Sequence, residues 1–182
     1  MSALTKPWGA ATTAGGGAPH EVTNVEAGQF KEIYLHPGQT CSSKEPARIT
    51  MILGSCVGVC LYDSRQKIGG ATHYMLAKWE GTGTPSSRYG DIAIHALLEQ
   101  MQVHGSRICD LRAMVFGGAR MLQALGGNTG DCIGARNIQM ATNILEQSKI
   151  AIVTHNTGGS RGRKIKMQTD TGAVLLTLVG TK

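Results

Sequence analysis

The chain has 182 residues, 41% of them hydrophobic and 16% charged, which excludes a disordered polymer and suffices for a real apolar core. Aromatic residues make up only 4%, short of the stacking platforms that single-stranded nucleic-acid binders use, and no run of eighteen apolar residues is present to cross a membrane as a helix. The net charge of +6 admits an acidic protein surface, an anionic lipid or a nucleic acid as partner and selects none of them.

Residues 1–28 are rich in Gly, Ala, Thr and Pro, carry Gly15-Gly16-Gly17 and have no apolar stretch of signal-peptide type. They read as a flexible arm ahead of a single domain over 29–182. Residues 30–36 form a first strand around Ile33, Tyr34 and Leu35, and 37–47 a loop with Pro37, Gly38 and Pro46. Residues 49–53 open a central unit. Val57, Val59 and Leu61 alternate with Gly58, Cys60 and Tyr62, the period of a strand. The polar stretch 63–67 is a turn, and 68–76 a second strand, so that the two make a hairpin. Residues 80–87 are an exposed connection.

The spacing of Ile94, Leu97, Leu98 and Met101 predicts a helix over 89–104, closed by Gly105. Residues 111–116 read as a buried strand ending at Gly117-Gly118, 126–130 as a loop, and 137–147 as a second helix with Ile138, Ala141 and Leu145 inward. A strand over 150–154 runs into the turn Asn156-Thr157-Gly158-Gly159. The segments 164–169 and 173–179 form a closing hairpin around Asp170-Thr171-Gly172. Hairpins dominate, which favours an α+β domain with mixed or antiparallel sheets over a doubly wound parallel one.

Five cysteines in a chain without a signal peptide, with no framework spacing, read as free thiols in a reducing cytoplasm. One of them carries more chemistry than the rest. Cys56 follows a Gly54-Ser55 corner, and His73 lies on the next strand of the hairpin. A turn centred near Ser64 and Arg65 sets Cys56 opposite His73 or a neighbour, where opposed side chains share a face. A slip of one residue would part them. A thiol becomes nucleophilic when an imidazole takes its proton and a third group orients that imidazole. Thr50, on the preceding strand, is the candidate third group, through its hydroxyl or its carbonyl. The backbone N–H groups around Gly54 and Ser55 are candidates for an oxyanion site.

The plainer reading is a cysteine buried as a small hydrophobe, and that is the assignment for Cys60. A structural zinc site needs four ligands, and Cys56, Cys60 and His73 have no evident fourth, so no metal is assigned. His95, His104 and His155 read as surface or capping residues. The glycine pairs at 117–118 and 158–159 read as tight turns, since no Gly-Lys-Ser/Thr follows. Arg161, Arg163, Lys164 and Lys166 form the densest basic stretch, either a solvated strand face or an attraction for an acidic partner.

Leu53-Gly54-Ser55-Cys56-Val57-Gly58 with Gly70-Ala71-Thr72-His73-Tyr74-Met75 resembles the CheD family of chemoreceptor glutamine deamidases. Four further blocks continue the likeness: Arg88-Tyr89-Gly90-Asp91, Phe116-Gly117-Gly118-Ala119, Ile133-Gly134-Ala135-Arg136-Asn137 and Thr157-Gly158-Gly159-Ser160-Arg161. The resemblance spans residues 30–179. It implies a cysteine hydrolase that converts glutamine side chains of methyl-accepting chemotaxis receptors to glutamate and ammonia through a thioester, without cofactor or metal. It places the family's catalytic cysteine, histidine and threonine at Cys56, His73 and Thr50. It further implies a layered α/β sandwich similar to the catalytic domain of cytotoxic necrotising toxins, a cytoplasmic location without membrane insertion, and the phosphatase CheC as a binding partner. The alternative function is a regulatory module that engages CheC with little catalysis. Asn156 stands where the family commonly has an acidic residue, and Ala77 where it has proline.

Overall fold

The computed structural model describes residues 2–5, 30–120 and 132–180. Ten strands and two helices follow one another as β1 (Ser2–Thr5), β2 (Lys31–Tyr34), β3 (Gln39–Ser43), β4 (Ala47–Leu53), β5 (Val57–Asp63), β6 (Ile68–Tyr74), α1 (Gly90–Val103), β7 (Leu111–Gly117), α2 (Ile133–Gln147), β8 (Ala151–Thr157), β9 (Gly162–Gln168) and β10 (Val174–Val179). They form two five-stranded sheets, one ordered β1-β10-β9-β4-β2 and the other β3-β6-β5-β7-β8. Both are mixed, with β2 parallel to β4 and β7 parallel to β8. The α+β expectation with mixed sheets therefore holds.

Strand alternation builds the core between the sheets. On β4, Ala47, Ile49, Met51 and Leu53 are fully buried, while Arg48 and Ile52 are not. Turning that strand over would expose Ile49, Met51 and Leu53, at about 1.5–3 kcal/mol each, which fixes its facing. From β9, Ile165 and Met167 join them, and from the second sheet Cys60, Ala71, Met114 and Phe116. The other face of the second sheet carries Val57, Val59, Leu61 and Tyr74 and packs against Ile94, Leu97 and Met101 of α1 and Leu145 of α2. The result is three layers: sheet, sheet, helices. β5 and β6 lie in the middle layer and are buried at every position, covered on both faces.

Several boundaries differ from expectation for definable reasons. β3 falls inside a stretch expected to be loop; its sequence Gln-Thr-Cys-Ser-Ser has no large apolar residue, and it is held by antiparallel pairing to β6. The expected arm contains β1, which pairs with β10, and residues 6–29 lie outside the described residues. So does the expected loop at 126–130. The helix α1 starts and stops within one residue of expectation, with Tyr89 and His104 as its caps. The second helix begins at Ile133 instead of 137. Its first turn holds Gly134, where a Cβ would lie 2.4 Å from the Gly118 carbonyl oxygen. That glycine serves a close approach, so helix propensity alone hides the start.

Candidate active site

The hairpin of β5 and β6 sets the geometry. Its rungs run Asp63↔Ile68 through Gly58↔His73 to Val57↔Tyr74. The turn is thus centred between Arg65 and Gln66, one residue later than expected. The cause is Asp63, whose Oδ1 accepts from the N–H groups of both Arg65 and Gln66, with Lys67 in the left-handed region at φ 55° closing the loop. His73 therefore stands opposite Gly58, and Cys56 lies two residues before Gly58 along the chain, in the bend that leads into β5. A two-residue offset preserves facing: His73, Ala71, Cys60 and Gly58 all look toward the other sheet, and Cys56 packs against the same intersheet cluster.

The His73 ring is almost wholly buried. Its Nδ1 lies 3.1 Å from the Leu35 carbonyl oxygen. A carbonyl can only accept, so Nδ1 carries the proton and Nε2 presents a bare lone pair. That Nε2 is buried and has no hydrogen-bond partner among the described residues. Burial lowers the ring's pKa below its ordinary 6.5, the Leu35 bond opposing and His36 adding to the shift. At neutral pH the ring is uncharged, the form a general base needs.

The partner of Nδ1 is the Leu35 carbonyl, and no hydrogen bond joins Thr50, the expected orienting group, to the ring among the described residues. Thr50 pairs with Tyr34 on one side and Lys166 on the other. Ile49 and Met51 face the core, so the Thr50 side chain faces the opposite way, onto the outer side of its sheet. Its carbonyl accepts the N–H of Leu35 at 2.8 Å. Leu35, the residue that holds the imidazole, escaped the sequence reading because a main-chain carbonyl has no side-chain signature.

Cys56 is half-buried, and burial raises its thiol above the ordinary 9.0, opposed by its own backbone N–H. No hydrogen bond joins it to His73 among the described residues; such contacts are often long before substrate is bound. The bend before it is tied down by its carbonyls. Gly54 O accepts from Ala119 N–H at 2.7 Å, Ser55 O from the Asn137 amide at 3.1 Å and Cys56 O from Gly118 N–H at 2.8 Å. With the carbonyls so engaged, no backbone carbonyl among the described residues accepts from the N–H groups of Gly54, Ser55 or Cys56. The N–H of Cys56 meets its own thiol, which leaves those of Gly54 and Ser55 as the donors for an anion among the described residues.

Gly117 sits at φ 104°, and a Cβ there would lie 2.2 Å from Cys56 O. Gly117→Ala is expected to cost at least about 2 kcal/mol, from the left-handed backbone and the displaced bend, read as a lowered urea midpoint at unchanged m-value.

Beside the bend, a cleft of about 480 Å³ opens between Gly118, Arg120, Cys132 and the Gly158-Gly159-Ser160 loop. Cys132 caps α2, and the Ala135 N–H, with Arg120 assisting, holds its thiol below 9.0. The basic stretch is divided. Lys164 and Lys166 face outward, but Arg163 is buried and donates to Asn156 Oδ1 at 2.7 Å and to the Gly158 carbonyl at 2.7 Å, fixing the loop that lines the cleft. Cys60 is buried in the core, as its assignment requires.

Residues 75–178 match the family model CheD, chemotactic sensory transduction. The chain is 45% identical to the probable chemoreceptor glutamine deamidase CheD of Trichlorobacter lovleyi, over 85% of this chain and 95% of that one. It is 40% identical to the protein of the same name from Sulfurimonas denitrificans, over 83% and 96%. To the chemoreceptor glutamine deamidase CheD of Thermotoga maritima it is 35% identical, over 79% and 89%. Among solved structures, Bacillus licheniformis YfiH, titled a hypothetical protein, matches at 14% identity and a TM-score of 0.44 over 77% of this chain and 61% of that one.

Proposed function

Because the chain belongs to the CheD family, we propose that it is a chemoreceptor glutamine deamidase that works through Cys56 and His73. The observation that carries this reading is the imidazole itself. It is buried, anchored at Nδ1 and, among the described residues, unpartnered at Nε2, and it faces the intersheet cluster against which a half-buried thiol packs. A histidine kept only for packing would be cheaper as an apolar residue, since a buried ring nitrogen without a partner costs roughly 1–3 kcal/mol.

His73 Nε2 takes the proton of the Cys56 thiol. The thiolate attacks the carboxamide carbon of a receptor glutamine, and the resulting oxyanion is met by the N–H groups of Gly54 and Ser55 in the bend. The imidazolium returns its proton to the amine, ammonia leaves, and a thioester remains. The same nitrogen then draws a proton from water, hydroxide adds to the thioester, and glutamate is released with the thiol restored. Leu35 holds the ring through its carbonyl, and Thr50 acts one step behind it, holding Leu35 by main-chain hydrogen bonding. Thr50→Ala leaves that carbonyl in place.

The test is incubation of the protein with the helical cytoplasmic fragment of a methyl-accepting receptor. Ammonia should appear in step with a gain of about 1 Da at individual glutamines, as exchange of NH2 for OH requires. No mass change at any glutamine would overturn the reading.

A further inference from the structure

We propose that Asn137 is a positioning residue, whose amide fastens the bend carrying the nucleophile to the strand carrying the imidazole; the proposal rests on Cys56 being the nucleophile. Asn137 is fully buried in the first turns of α2. Its Nδ2 donates to the carbonyl of Ser55 at 3.1 Å and to that of Met75 at 2.8 Å. Ser55 immediately precedes Cys56, and Met75 follows His73 by two residues. The last rung of the hairpin ladder is Val57↔Tyr74. Beyond it no backbone hydrogen bond joins the two segments among the described residues, and the amide supplies the next tie.

The residue type follows from that task. Two carbonyls that must be held by one group need a double donor. A hydroxyl has one hydrogen, and a carboxylate has none. An ammonium or guanidinium would bring an unpaired charge into a site without exposure. The remaining amide, glutamine, is one methylene longer and would carry its nitrogen past the two carbonyls that Asn137 reaches at 3.1 and 2.8 Å. Asn137 Oδ1 has no partner among the described residues. The side chain thus bears a desolvation cost for the sake of its two donated bonds, which is hard to explain by packing alone.

α2 is also tied to β6 by a bond with no connection to Cys56, from Tyr74 O–H to the Asn137 backbone carbonyl at 2.7 Å. Tyr74→Phe removes that bond and leaves the amide bridge, which makes it the control for simple anchoring of the helix. The experiment measures kcat and KM for ammonia release from the receptor fragment, thermal unfolding, and the pH profile of iodoacetamide reaction at Cys56, read on its own peptide by mass spectrometry. Asn137→Asp, nearly isosteric, and Asn137→Ala are compared with wild type and Tyr74→Phe.

The expected result is that folded Asn137→Asp loses about 10–100-fold in kcat with KM nearly unchanged, the scale of a small misplacement of reacting atoms. Its Cys56 reaction profile should move relative to wild type, whereas Tyr74→Phe should lose thermal stability and keep both kcat and profile. Wild-type kcat and profile in a folded Asn137 variant would overturn the proposal. So would a Tyr74→Phe loss of kcat as large as that of Asn137→Asp, or failure of both Asn137 variants to fold while Tyr74→Phe folds. If wild type itself releases no ammonia, the deamidase reading falls, and the Cys56 profile still decides the positioning claim.

Discussion

A Cys56→Ala variant is expected to bring ammonia release from the receptor fragment down to the rate of the fragment alone, a loss of at least about 10⁴-fold. Without the sulfur no thioester can form, and the free N–H groups of the bend have no oxyanion to meet. The fold should survive. Cys56 touches only the border of the intersheet core, and its thiol hydrogen-bonds to no other described residue. Losing it costs about 1 kcal/mol, a few degrees in melting temperature for a domain of this size. Circular dichroism melting beside a coupled ammonia assay separates the two effects. Retained activity would move the chemistry to another thiol. Cys132 would be the first to examine, because it borders the cleft and its pKa is lowered where that of Cys56 is raised.

His73→Ala is expected to cost about 10²–10⁴-fold in kcat/KM at neutral pH. The reason is the state of the thiol. Even at the ordinary value of 9.0, a cysteine is only about 1% ionised at pH 7, and burial raises Cys56 further. The nucleophile depends on a base, and the variant should recover part of its rate only as alkali ionises the thiol directly. Its pH profile should climb past 9, whereas wild type should level off earlier, with an acid limb below 6.5 where the ring takes a proton.

Stability follows the same two groups. The folded His73 pKa is lowered, so its contribution is complete above 6.5 and is lost as pH falls through the folded value. The folded Cys56 pKa is raised, so its contribution is complete below 9.0 and is lost as pH rises through the folded value. Maximum stability from this pair lies between those limits. His73→Ala should flatten the acid side of the profile, measured as urea midpoints across pH.

Local patterns in the sequence carried well into the structure, and decisions made by distant groups did not. The alternation on β5 and the apolar face of α1 are short-range signals, and both elements appear within a residue of expectation. The same alternation on β4 already separated Ile49 and Met51 from Thr50, and Ile52, exposed on the outer side, blurred it. The hairpin register was settled by one carboxylate oxygen of Asp63, a choice the strands do not encode. β3 is a strand because β6 offers it an edge, not because its residues favour one. The block Ile133–Asn137 stood out only by family likeness. What Asn137 does depends on two carbonyls roughly sixty and eighty residues away along the chain.

The two groups proposed to react are held in place by different means. His73 lies within a strand buried along its whole length and sandwiched between layers, so freeing its main chain requires opening the centre of the protein. Cys56 lies in a bend whose amide hydrogens already lack backbone acceptors among the described residues. Its carbonyls are bonded instead, to Ala119, Asn137 and Gly118, so in the proposed reaction both groups are held before substrate arrives and the receptor glutamine must come to them.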